Sequence, residues 1–176
     1  MLDKLMEFQN SKVWKTADNI QSLILFLCSV LITITIFMTV IMRYVFKTDL
    51  YGVEEIILVI AFWLYFIGGS RGSMEDSHIK ADILDVIIQK NKLKYGLKAF
   101  GKAVESFVLI IFTKMSLDLV LLNMQRMPKT PGLKIPYVVT QSSIALGFLM
   151  MSLYTIYHCL VFFFKFRIAG TEGDEK

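Results

Sequence analysis

Residues 51–85 read YGVEEIILVIAFWLYFIGGSRGSMEDSHIKADILD. Glu54 and Glu55 precede an apolar run from Ile56 to Gly69, and Arg71 and a mixed-charge, His-containing segment follow it. Ionised side chains are costly against lipid, so charges crowding both ends of an uncharged run mark the two rims of a membrane span. The stretch therefore predicts a transmembrane helix over about 54–74. Gly68 and Gly69 near its end allow a second helix to come close.

Three more spans follow by the same criterion. Residues 21–42 carry no formal charge and, at 1.5 Å per residue, reach about 33 Å, enough to cross the hydrocarbon core. Residues 99–124 form a span that includes Lys102, Glu105, Lys114 and Asp118, and residues 137–164 form the last, closed by the aromatic and basic anchor Phe162 to Arg167. With 176 residues, 55% of them hydrophobic, and a mean hydropathy of +0.58, the chain has room for four spans and for no separate soluble catalytic domain. The expected fold is an all-α membrane protein with four transmembrane helices and short interfacial amphipathic helices. The membrane domain is expected over 21–166, after a polar, amphipathic segment at 1–20 and before a polar tail at 167–176.

Two segments have the rhythm of interfacial helices. In residues 1–19 Leu2, Leu5, Met6, Val13, Trp14 and Ala17 recur at helical spacing between lysines, which would set Trp14 at headgroup depth. From His78 to Gln89, Ile79, Ile83, Leu84, Ile87 and Ile88 do the same, and a Lys-rich linker is expected over Lys90–Lys98. The first apolar run is longer than a signal-peptide core and is expected to remain as a span.

Lys and Arg report orientation. Three in the N-terminal segment, seven from Arg71 to Lys102 and three at the C-terminal end lie on one side; Arg43, Lys47, Arg126, Lys129 and Lys134 lie on the other. The positive-inside rule places both termini in the cytoplasm and the connections Arg43–Gly52 and Arg126–Pro136 outside. Cations arranged in this way set topology and give no reason to expect nucleic acid. Cys28 and Cys159 fall inside apolar runs, where free thiols are expected.

Candidate chemistry is sparse. Glu54 and Glu55 sit in a first helical turn, favoured by the helix dipole, with Arg43 as a plausible partner for one of them. Lys114 and Asp118 are one helical turn apart near mid-membrane, on a face expected to be buried against protein, where they act either as a packing pair or as a proton or ion relay. His78, Asp82 and Asp85 share a helical face, which suits a metal or a His–Asp hydrogen bond at an interfacial helix. His78 and His158 would have to meet from different depths to hold a haem. A phosphate-binding GxxxxGK[ST] loop is absent from the sequence.

Arg43-Tyr-Val-Phe, Glu54-Glu55, Trp63 followed by Gly68-Gly69, His78-Ile-Lys-Ala-Asp82 and Thr130-Pro-Gly-Leu-Lys-Ile-Pro136 occur in an order and spacing that resembles the small membrane subunit of tripartite ATP-independent periplasmic (TRAP) transporters, the DctQ-like family. The resemblance spans about 21–164. It implies a non-catalytic subunit of the bacterial inner membrane that braces a large multi-span permease, while a periplasmic substrate-binding protein delivers an organic acid such as sialic acid or a C4-dicarboxylate. It also implies that sodium sites and an elevator-like movement belong to the permease, leaving this subunit without a cofactor. On that basis Glu54, Glu55, Gly68, Gly69, His78, Asp82, Glu105, Lys114 and Asp118 are candidates for structural or permease contacts. Arg43, Lys47, Asp49, Arg126, Lys129 and Lys134 are candidates for docking the binding protein. Two other classes stay open on the residues alone: a haem-binding membrane anchor of a respiratory complex, through His78 and His158, and a small channel along Lys114 and Asp118.

Overall fold

A computed structural model describes residues 9, 11–76 and 91–171, with side chains over 93–168 of the second half. Four helices account for these residues: α1 (Lys12–Tyr44), α2 (Val53–Met74), α3 (Asn91–Arg126) and α4 (Tyr137–Thr171). Each is long and apolar enough to cross a membrane. An even number of crossings brings both chain ends to one face, called here the terminal face, and the connections α1–α2 and α3–α4 to the opposite face.

The helices overshoot the expected spans mostly at the terminal face. α1 starts at Lys12 rather than near residue 21, with the Ser11 hydroxyl accepting from Trp14 N–H at 3.3 Å as its cap. The segment from Lys12 to Asn19 is therefore continuous with the first span and is not a separate interfacial helix. α3 begins by Asn91, so most of the expected Lys-rich linker is helical. Leu, Lys and Tyr continue a helix readily once hydrogen bonding is under way, and no proline stops it. α4 runs on to Thr171. The expected interfacial helix at 78–89, with His78 and Asp82, lies outside the described residues.

Packing places α4 at the centre, against α3 on one side and α2 on the other, with α1 laid on α2. The interior inverts that of a soluble domain. Among the described residues the buried hydrophobic side chains are Ile67, Met74 and Ala145, whereas Gln21, Ser70, Ser73, Ser106, Thr113, Ser116, Thr140, Ser143, Ser152 and Thr155 are buried polar ones. Lipid tails solvate leucine as well as another leucine does, so the large apolar residues turn outward and small residues line the helix contacts. Many of their hydroxyls donate to a carbonyl one turn back, as Ser143 does to Thr140 at 2.6 Å and Thr113 to Leu109 at 2.7 Å. That satisfies a group that hydrocarbon cannot.

Gly147 marks a close approach of two helices. A Cβ there would lie 2.7 Å from Phe66 Cβ and 3.0 Å from the Phe66 carbonyl oxygen, so α2 and α4 meet nearly backbone to backbone. Trp63 fastens the same pair by donating its indole N–H to Val139 O at 3.2 Å.

Candidate functional site

The face opposite the termini is built around one carboxylate. Gly52, at φ 81°, lets the chain turn into α2 and places Glu55 in its first turn. Glu55 Oε1 accepts the Gly132 N–H at 2.7 Å; Oε2 accepts the Leu133 N–H at 2.8 Å and the Thr130 hydroxyl at 2.5 Å. Thr130 in turn accepts the Ile135 N–H at 3.0 Å through Oγ1, while its own N–H donates to Ile135 O at 2.9 Å. The prolines of residues 128–136 prevent a helix, and the Glu55 carboxylate supplies the acceptors that the freed amides need. Gly132 keeps this approach short, because a Cβ there would sit 2.8 Å from Glu55 Oε1 and would have to push the carboxylate aside. Leu133 closes the clasp over Gly52.

This clasp surrounds itself with charge. Arg43, Lys47, Asp49, Glu54, Arg126, Lys129 and Lys134 are all exposed on it. Arg43 pairs with Asp49 at 3.6 Å rather than with Glu54 or Glu55. The short connection keeps Asp49 near the end of α1, while Glu55 is turned toward the α3–α4 loop. Two such exposed side chains contribute little to stability, so Arg43 and Asp49 remain open to a partner. Lys47, Met127 and Lys134 adopt positive φ of 54°, 47° and 57°, which bends the connections tightly over the helix ends.

Replacing Glu55 by alanine is expected to leave the Gly132 and Leu133 amides without acceptors and to speed their hydrogen exchange by about tenfold or more. Glu55→Gln, which keeps one acceptor oxygen, should fall between. Exchange of these amides at the native rate in the alanine variant would show that the clasp does not hold the loop.

The terminal face is tied by a second polar layer. Lys102 Nζ, on α3, lies 2.7 Å from Asp76 Oδ1 at the end of α2 and 3.0 Å from Glu105 Oε2. Glu105 Oε1 also accepts the Thr155 hydroxyl of α4 at 3.3 Å, so one lysine and two carboxylates join three helices. Arg71 of α2 reaches α1 through Asp18 at 3.3 Å and the Ser22 hydroxyl, and holds Glu75 at 2.9 Å on its own side. Gln21 Nε2 donates to Tyr154 Oη at 2.9 Å. The Trp14 ring packs on α4, edge-on to Tyr154 at 5.2 Å and tilted against Tyr157 at 5.1 Å between centroids.

The remaining candidates divide. A Cβ at Gly68 would lie 3.6 Å from Leu25 of α1, and Gly69 faces the end of Met151 of α4, so both serve contacts inside this chain. His158 is buried with Nε2 3.1 Å from Met74 O, a contact in which the ring N–H donates to the carbonyl. Cys28 and Cys159 are free thiols. Among the described residues no three His, Cys, Asp or Glu side chains gather as a metal site. Lys114 and Asp118 are exposed on the chain's own surface, so the burial expected of their face is not provided within this chain, and no ion pair joins them among the described residues.

Sequence reasoning missed the reach of Glu55, the Lys102 junction and Gly147. The spacing of Lys102 three residues before Glu105 was the available signal for the junction. The other two depend on contacts with residues far away in the chain.

No curated protein matches the sequence. A family model described as "Tripartite ATP-independent periplasmic transporters, DctQ component" matches residues 32–164. That segment takes in all of α2 and α3, both connections at the Glu55 face, and most of α4. The chain accordingly belongs to the DctQ family, the small membrane subunits of tripartite ATP-independent periplasmic transporters.

Proposed function

We propose that this subunit braces the static part of a large permease in a sodium-driven transporter of organic acids, of the sialic acid or C4-dicarboxylate kind. It performs no chemistry itself. The observation that carries the proposal is the double bracing of the bundle: Glu55 locks the connections at one face, and Lys102 and Arg71 lock the helices at the other. A body tied at both ends with an apolar exterior is suited to widen the permease's footprint and give its moving part something fixed to work against. Substrate and sodium are handled by the permease.

The positive-inside distribution supports cytoplasmic termini in a bacterial inner membrane, which turns the Glu55 clasp to the periplasm. There Arg43, Lys47, Asp49, Arg126, Lys129 and Lys134 help receive the substrate-binding protein. Exposed charges on a rigid surface steer a soluble partner and fix its register more than they add affinity.

Deleting this chain from cells that keep the permease and binding protein is expected to reduce uptake of the transported acid to background, and supplying it in trans should restore uptake. Undiminished uptake after deletion would contradict a bracing role.

A further inference from the structure

Lys114 and Asp118 pose a problem that the chain alone does not solve. Lys114 lies twelve residues from Lys102 and twelve from Arg126 along one continuous helix, about 18 Å from each. A hydrocarbon core about 30 Å thick fitted between those two cations puts Lys114 at its middle and Asp118 about 6 Å away along the axis. A lysine stem does not span the remaining distance to the headgroups, so neither charge escapes to water by snorkelling.

The other outward surfaces lack this difficulty. α1 carries no formal charge from Ile20 to Met42, and its exposed Phe26, Leu31, Ile34 and Phe37 form a surface that lipid covers at no cost. α2 from Ile56 to Ser70 and α4 from Tyr137 to Phe164 are likewise free of Asp, Glu, Lys and Arg. Among the described residues, only α3 shows charge at mid-membrane depth. It does so in an open groove of about 420 Å³, lined by Lys114, Asp118, Ile110, Thr113, Leu117 and, from α4, Ser152. The groove thus offers one cation, one anion and an apolar wall.

We infer that this groove seats a transmembrane helix of the large permease, one that carries a carboxylate level with Lys114 and a cation or hydrogen-bond donor level with Asp118. The inference rests on the bracing role and specifies its contact face. Charge complementarity selects this occupant. Lipid tails bring nothing that neutralises either group. A second copy of this chain, related by a two-fold axis along the membrane normal, sets Lys114 level with Lys114 and Asp118 level with Asp118, with opposite charges offset by about 6 Å along the axis. An unlike helix can place each opposite charge at the same depth. α1 then faces lipid.

The test compares four forms of the tagged full-length chain expressed with its permease: wild type, the charge swap Lys114→Asp with Asp118→Lys, and wild type bearing a photo-crosslinking amino acid at Leu117 or, as a control, at Phe37. The swap keeps one cation and one anion a helical turn apart on α3 but reverses what a partner meets. It is expected to leave the isolated chain's melting temperature unchanged and to lower co-purified permease by about tenfold. Leu117 is expected to crosslink to the permease, identified by its peptides, and Phe37 is not. Native recovery of permease with the swap would show that the pair satisfies itself and would overturn the inference, as would a Leu117 crosslink to a second copy of this chain. Failure of the wild-type chain to recover the permease would overturn the bracing role as well; recovery through a face other than Leu117 would overturn only the contact proposed here.

Discussion

Substituting Gly147 by leucine is expected to lower the melting temperature of the purified subunit by about 5–10 °C, an overpacking penalty of roughly 3 kcal/mol. The atoms that a side chain would strike are the Cβ and carbonyl oxygen of Phe66, at 2.7 and 3.0 Å. Backbone of a neighbouring helix cannot swing aside, so α2 and α4 must separate, and the Trp63 to Val139 hydrogen bond stretches with them. Two glycines calibrate the effect. At Gly69 the obstacle is the terminal methyl of Met151, a flexible side chain that can move, so Gly69→Ala should cost less than about 1 kcal/mol. At Gly101 a Cβ meets nothing within 4 Å, and alanine should be neutral or stabilise by about 0.5–1 kcal/mol through helix propensity. Equal shifts for all three variants, followed by thermal unfolding in detergent, would mean that the close approach at Gly147 is not what holds the two helices.

A comparable loss is expected from Lys102→Met. Methionine fills the space of the lysine stem, so the change isolates the charge. It leaves the carboxylates of Asp76 and Glu105 side by side, at 27% and 32% exposure, with their shared cation gone. Breaking a fully buried pair costs about 3–5 kcal/mol; partial solvent access at both carboxylates brings the expected figure to about 2 kcal/mol. Adding Asp76→Asn to Lys102→Met should recover part of that loss, because it removes the charge left behind. Asparagine is the suitable replacement at Asp76, whose φ of 52° few other residues accept without strain. If the double variant were as unstable as the two single losses added together, Lys102 would be acting through packing and not through its charge.

Both substitutions probe tertiary contacts, and it is there that the sequence was least informative. The four spans were legible because uncharged runs long enough to cross a bilayer have few other uses. Their ends at the terminal face were not, since hydrophobicity says where the membrane stops and nothing about where a helix does. Lys94 and Lys98 suggested a linker but lie within α3. Glu55 was legible as an acidic residue in a first turn; that its carboxylate would hold the backbone of residues 132 and 133 was not, because the partners lie 77 and 78 residues further along the chain, beyond α3. Gly147 gave no sign at all. A glycine in an apolar run reads the same whether it faces lipid or another backbone. Lys114 and Asp118 were visible as a pair one turn apart, whereas the direction they face depends on how α3 rotates against α4.

The membership in the DctQ family and the bracing at both faces of the bundle converge on one measurement. Permease and binding protein, purified and reconstituted in liposomes with an imposed sodium gradient, are assayed for uptake of the transported acid with and without this subunit. A subunit that braces the permease predicts uptake only when it is present, with no transport by this chain alone. Equal uptake by the permease and binding protein without it would contradict that role.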